Sequence, residues 1–182
     1  MILLINICKE RLHYYEFVKP IEDILKKNNL AFFTLNYKEI QEKILERADK
    51  AIICGTSLKD NEFMQNSSFF SWIKSFNKPL LGICGGMQVI GRMVGGKIRK
   101  EQEIGFFKEK FHKKFLETEG WKEVYHLHNY FADFSNSDEI EAYSYSDKEI
   151  PQAIKHREKE IYGVLFHPEV RNKEIILNFC KY

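Results

Sequence analysis

Cysteine and proline are sparse in this chain of 182 residues, with four of each, and tryptophan occurs only twice. The cysteines, Cys8, Cys54, Cys84 and Cys180, lie far apart. They have neither paired metal-ligand spacing nor the density of a disulfide scaffold, which points to a reducing, cytoplasmic setting. An excess of one charge is also missing. The 28 basic and 26 acidic residues leave a formal charge of +2 without a long run of like charges, so the footprint of a nucleic-acid binder is not there. Long apolar runs are absent too. The stretch Met1 to Ile7 is far too short to span a bilayer and has no basic flank or small-residue cleavage site, so it reads as a buried first strand. The ending Cys180-Lys181-Tyr182 is one residue short of a prenylation box and implies no lipid anchor. Asn66-Ser67-Ser68 is a sequon that goes unused inside a cell.

What is present is apolar bulk. Hydrophobic residues make up 44% of the chain, including 15 Phe and 9 Tyr, enough to offset the chain entropy lost on folding. A chain of this length fits one compact domain, taken as 1–182. Its first half alternates short apolar runs with longer amphipathic ones. Met1 to Ile7, Leu30 to Leu35, Lys50 to Cys54 and Pro79 to Ile83 read as strands. Tyr14 to Lys27, Lys38 to Arg47, Phe69 to Phe76 and Gly85 to about Val94 read as helices. The aromatic residues of the third helix, Phe69, Phe70, Trp72 and Phe76, have helical spacing and belong to a core. Such alternation predicts an α/β fold, an open and mostly parallel sheet covered by helices on both faces. After Gly95-Gly96 the pattern becomes strand-like around Ile98, Gly105 to Phe111, Val124 to Leu127, Ile140 to Tyr145 and Ile161 to Phe166, which adds antiparallel strands. Asn129 to Asp138 reads as a loop, and Val170 to Cys180 as a closing helix.

The sharpest local feature is Gly82-Ile83-Cys84-Gly85-Gly86, at the junction of a strand and a helix. A nucleophile carried on such a turn needs small neighbours at plus and minus two, where side chains would collide. The thiol would sit beyond the carboxyl end of a strand, where open α/β sheets form ligand crevices, and near a helix N-terminus that favours an anion. The alternative is a plain turn around a buried cysteine. A reacting thiol needs a base, and of His13, His112, His126, His128, His156 and His167 only the last has a suggestive setting. His167 follows the strand Tyr162-Gly163-Val164-Leu165-Phe166 and precedes Pro168-Glu169. Proline restricts the residue before it, and Glu169 lies close enough to orient the imidazole. The same His-Pro-Glu also fits the first turn of a helix.

Together, Gly-Ile-Cys-Gly-Gly-Met-Gln at 82–88 and Gly-Val-Leu-Phe-His-Pro-Glu-Val at 163–170 resemble the class I glutamine amidotransferases, over nearly the whole chain. The resemblance implies a flavodoxin-like fold and a Cys-His-Glu triad of Cys84, His167 and Glu169 that hydrolyses the side-chain amide of glutamine. It implies oxyanion donors in the backbone N–H groups of Gly85 and Thr56. Gly55, Gln88 and, in the loop-like Leu127-His128-Asn129-Tyr130, His128 would lie beside the substrate, although His128 also fits a solvated loop histidine. Gly95-Gly96-Lys97 and Glu103-Ile104-Gly105 resemble the family segment after the elbow helix. Two positions depart from the pattern. Cys54-Gly55-Thr56-Ser57 stands where the family has Gly-Gly-Pro, and Thr56 tolerates fewer backbone conformations than glycine. Leu165 stands where many members have glutamine.

The implied reaction needs no metal or organic cofactor. Released ammonia would pass to an acceptor synthetase, and since the chain has no nucleotide-binding motif, that synthetase would be a separate protein. Gly91 to Lys97 has the spacing of a phosphate loop, but Ile98 replaces the magnesium-binding hydroxyl and the segment ends a helix. Within the family the chain's ending looks most like the stand-alone glutaminase subunits of GMP synthases. Two rival readings are a free γ-glutamyl hydrolase of the same fold and a catalytically weak binding paralogue.

Overall fold

The structure, a computed structural model, describes residues 1–181. One continuous nine-stranded sheet organises them, in the order β2-β1-β3-β4-β9-β8-β7-β5-β6. The strands β1 (Ile2–Asn6), β2 (Phe32–Asn36), β3 (Lys50–Ile53), β4 (Leu80–Ile83) and β9 (Ile161–Val164) pair in parallel. Beyond β9 the ladders are antiparallel, through β8 (Pro151–His156), β7 (Ile140–Tyr145), β5 (Lys97–Phe115) and β6 (Thr118–Asp133). This is the expected α/β sheet with added antiparallel strands.

Alternation along the parallel strands gives the sheet two apolar faces. Ile2 and Leu4 of β1 join Ile52 and Leu81 in a cluster with Ile21 and Leu25 of α2 (Lys19–Lys27) and Ile175, Ile176 and Phe179 of α6 (Lys173–Lys181). Leu3 and Ile5 face the other way. They pack with Ile53, with Phe70 and Ile73 of a 3-10 segment (Ser67–Lys74), and with Val89 and Ile90 of α5 (Gly85–Met93). The remaining helices are short: α1 (Arg11–His13), which runs through a π turn (Tyr14–Val18) into α2, then α3 (Glu42–Arg47) and α4 (Glu62–Gln65). None of the described helices is long and apolar enough to cross a membrane.

Several sequence expectations need correction. The segment 129–138, read as a loop, is strand as far as Asp133, because Tyr130 to Asp133 pair with Lys97 to Lys100 across a long hairpin. Cross-strand pairing overrides the turn preference of Asn and Asp. The strand-like pieces around Ile98 and 105–111 are one strand, β5, interrupted by register shifts. The expected helix Phe69 to Phe76 winds as 3-10 and only as far as Lys74, with Phe70 buried but Phe69 on the surface. The last helix starts at Lys173, three residues later than expected.

Candidate active site

Cys84 occupies the sharp junction between β4 and α5, with φ 48° and ψ −104°. For a non-glycine residue this conformation costs of order 1–3 kcal/mol, so its surroundings must hold it. They do so from two sides: the Cys84 N–H donates to Val164 O at 2.7 Å, and the Gln88 N–H donates to Cys84 O at 3.1 Å. The flanking glycines are sterically required. A Cβ on Gly82 would stand 2.6 Å from the Gly86 carbonyl, and a Cβ on Gly86 would stand 2.2 Å from Ile53 O.

His167 follows β9 and is completely buried. It does not start a helix: the Val170 N–H closes a turn onto His167 O at 3.2 Å, and α6 begins only later. Its Nδ1 lies 2.7 Å from Glu169 Oε1, which assigns that nitrogen a proton and leaves Nε2 to face another partner. Nε2 has no hydrogen-bond partner that meets ordinary geometry, yet Cys84 and Glu169 both act on the ring. Burial is the largest single influence and disfavours the imidazolium. The charges of Glu169 and Cys84, with the hydrogen bond to Glu169, together hold the His167 pKa well above its ordinary value.

The side chains of Cys84 and His167 converge on Gly55. A Cβ there would lie 2.7 Å from His167 Cε1 and 3.5 Å from Cys84 Cβ. The glycine makes room for the imidazole. The neighbouring Thr56 is buried, and its hydroxyl donates to Asp60 Oδ2 at 3.0 Å. The same carboxylate oxygen accepts the Lys9 N–H at 2.6 Å and lies 3.1 Å from His13 Nδ1. Thus the residue that departs from the family pattern is pinned by its side chain. Gly85 opens α5, where first-turn N–H groups have no partner within the helix.

The other thiols are poorly suited to nucleophilic work. Burial pushes Cys8 up to about 12 and Cys180 up to about 11, and raises Cys54 well above the ordinary thiol range.

Strand β6 closes the site from the far side, a contribution that sequence reasoning missed. The Cys84 thiol lies 3.5 Å from Leu127 O, and the His167 N–H donates to Tyr125 O at 2.8 Å. Gln88 donates through Nε2 to Tyr130 O at 2.8 Å, which leaves its oxygen and its second N–H for a ligand. His128 is on this strand and not on a loop. Its ring is buried, with Nε2 3.1 Å from Glu103 Oε2. Main-chain carbonyls leave no signature in a sequence, but His126 and His128 do: at i and i+2 they share one strand face. Leu165 is fully buried in an apolar cluster with Met87 and Ile154, which accounts for a leucine there. Gly91 to Lys97 caps α5, with Gly95 at φ +85° and the Gly96 N–H on Gly91 O at 2.8 Å. It is a helix terminus, as expected.

Comparison with known proteins gives the same direction. The family model described as glutamine amidotransferase class-I matches residues 13–179. The glutamine-hydrolyzing GMP synthase subunit of Methanococcus vannielii is 37% identical over 114 residues, 57% of this chain and 59% of that protein. The chain's match thus spans less than two thirds of that relative's length. The corresponding GMP synthase subunit of Picrophilus torridus is 30% identical over 144 residues, 74% of each chain. Among solved structures, a protein from Thermoplasma acidophilum assigned as a GMP synthase subunit superposes with TM-score 0.86 at 22% identity, over 99% of this chain and 92% of that one. A glutamine amidotransferase from Thermotoga maritima gives TM-score 0.72 at 22% identity, over 99% and 80%. With its elbow cysteine, its His-Glu pair and its sheet order, the chain belongs to the class-I glutamine amidotransferase family.

Proposed function

We propose that this protein hydrolyses glutamine to glutamate and ammonia at Cys84 and delivers the ammonia to a separate synthetase subunit. The observation that carries the reading is the convergence of Cys84 and of the Glu169-oriented ring of His167 on Gly55, at the end of the strained elbow. The Cys84 thiol gives its proton to His167 Nε2 as its sulfur attacks the carboxamide carbon, forming a C–S bond while the carbonyl electrons move onto oxygen. N–H groups of Gly85 and Thr56 receive that oxyanion. The imidazolium of His167 then gives a proton from Nε2 to the amide nitrogen, the C–N bond breaks, and ammonia leaves behind a thioester. Water attacks the thioester as His167 takes its proton, which releases glutamate and restores the thiol.

Cys84 is only 3% exposed and His167 not at all, so glutamine needs an opening in the closed conformation. A partner that pulls β6 or the segment 57–61 outward would provide it, since Asn129 of β6 fastens that segment through Leu58 O at 3.3 Å. The similarity to glutamine-hydrolyzing GMP synthase subunits favours a purine nucleotide synthetase as acceptor. The test is glutamate release by the purified chain with and without the matching synthetase, supplied with its nucleotide substrates. Stimulation by the synthetase, with ammonia incorporated in its product, is the expected result. Equal turnover of large γ-glutamyl amides by the chain alone, with no effect of any synthetase, would instead identify a free hydrolase.

A further inference from the structure

On β5 and β6 lies a buried group of ionisable side chains that the proposed steps do not draw on. Glu103 is on β5, at the register position opposite His128, and His126 is two residues before His128 on the same face. All three are buried, His126 completely. Their nearest atoms form a triangle: His128 Nε2 to Glu103 Oε2 3.1 Å, His126 Nδ1 to His128 Nε2 3.3 Å, and His126 Nδ1 to Glu103 Oε2 3.5 Å. Among the described residues this is the one such cluster with ligand atoms mutually in reach. We propose that it binds a single divalent transition-metal ion of the zinc type.

The triangle has the dimensions of one face of a coordination tetrahedron. Nitrogen and oxygen ligands at about 2.0–2.1 Å from zinc are about 3.3–3.4 Å apart in tetrahedral geometry. An ion at that distance from the three atoms would sit about 0.7 Å above their plane, close to the height an ideal tetrahedron requires. Protons alone fit less well. Glu103 Oε2 has three nitrogens around it, since Gln152 Nε2 also approaches to 2.7 Å, and a carboxylate oxygen offers about two lone-pair sites. An ion would let all three ligand atoms turn their lone pairs inward.

The surroundings also match a metal site. His126 Nε2, the ring nitrogen not used in the triangle, lies 2.7 Å from Glu109 Oε1 but out of line for a hydrogen bond; a small ring rotation would give the carboxylate partner that ligating histidines commonly have. Glu109 is in turn held by the Ser144 hydroxyl at 3.2 Å. Gln152 is fully buried, and its Oε1 has no hydrogen-bond partner. Rotation of that amide would turn the oxygen toward Glu103 Oε2, which makes it the candidate for a fourth ligand. Two imidazoles with oxygen donors suit zinc and its neighbours and disfavour calcium or magnesium.

The ion would be structural. It joins β5, β6 and, through Gln152, β8, and it fixes the strand whose Tyr125 and Leu127 carbonyls contact His167 and Cys84. That consequence rests on the proposed function, but metal binding itself does not.

The test uses the full chain, stripped with chelator and titrated with Zn2+ and Co2+. Elemental analysis after gel filtration measures bound metal, and the visible spectrum of cobalt reports its ligands. One ion per chain, strong absorption of a four-coordinate nitrogen and oxygen site, and a higher melting temperature with zinc are expected. Glu103→Gln and His128→Ala should lose the ion, Glu109→Gln should weaken it about 10- to 100-fold, and His112→Ala, on the surface, should leave it unchanged. Should the buried variants fail to fold, the titration of the unmodified chain decides. No retained metal and no shift in melting, or a cobalt–thiolate charge-transfer band placing the ion on cysteine, would overturn the site.

Discussion

Substituting Gly55 by alanine probes the packing of the reacting groups with a single methyl. The added carbon would stand 2.7 Å from His167 Cε1 and 3.2 Å from Nδ1, where ordinary contact begins near 3.4 Å. The ring would have to retreat by about 0.7 Å, and it has little freedom to do so. It is fully buried, its Nδ1 is held by Glu169 at 2.7 Å, and Phe17 packs with a ring-centroid separation of 5.2 Å. Overpacking of this kind costs about 1–3 kcal/mol of stability, which an α/β domain of this size tolerates. A misplacement approaching 1 Å costs catalysis about 100-fold, equal to about 2.7 kcal/mol in transition-state stabilisation. Gly55→Ala should therefore melt a few degrees lower while kcat/KM for glutamine falls about 100-fold, measured with the synthetase partner present. Gly120→Ala is the control. Its Cβ would meet nothing, but its φ of +75° makes alanine strained, so it should cost about 1 kcal/mol and leave kcat/KM unchanged. Full activity in a folded Gly55→Ala protein would refute the placement of His167 against Gly55.

Two further predictions concern neighbouring groups. In Glu169→Gln the imidazole loses its anionic partner, and kcat should fall by about 10^2- to 10^4-fold. The elevated pKa of His167 contributes stability that is complete below the unfolded value near 6.5 and is lost as pH rises through the folded value. Thermal melts of the two proteins should therefore differ most near pH 6 and converge at alkaline pH; a gap that widens with pH would contradict the assigned charges. Thr56→Val removes the hydroxyl bond to Asp60 but keeps the backbone N–H, so it should cost about 1–2 kcal/mol of stability and less than about tenfold in kcat. A loss of about 100-fold or more would mean that the hydroxyl itself acts on the substrate.

The elbow was legible because its constraint is local: Gly82 and Gly86 stand where a side chain would strike backbone. Likewise β1, β3 and β4 were readable as uninterrupted apolar runs, which strands covered on both faces require. The second half was harder for physical reasons. β8 begins with Pro151 and carries Gln152, Lys155 and His156, so it lacks an apolar period and was missed. The long hairpin is exposed on one side and bears charged residues there, which broke it into apparent fragments. Reading Asn129 as the start of a loop also drew His128 into it. With β6 continuing through 133, His126 and His128 share one strand face, His128 directly opposite Glu103. The carbonyls of Tyr125 and Leu127 that contact the site arise from chain path alone, which no residue type announces.

A single thiol, that of Cys84, is assigned the reaction. The most direct measurement is glutamate release by the complex with its synthetase, comparing the unmodified chain with Cys84→Ala, together with mass mapping after exposure to an electrophilic glutamine analogue. One adduct on Cys84 and loss of glutamate release in Cys84→Ala are expected. Undiminished glutamate release in the Cys84→Ala protein, or an adduct on Cys8, Cys54 or Cys180 instead, would contradict it.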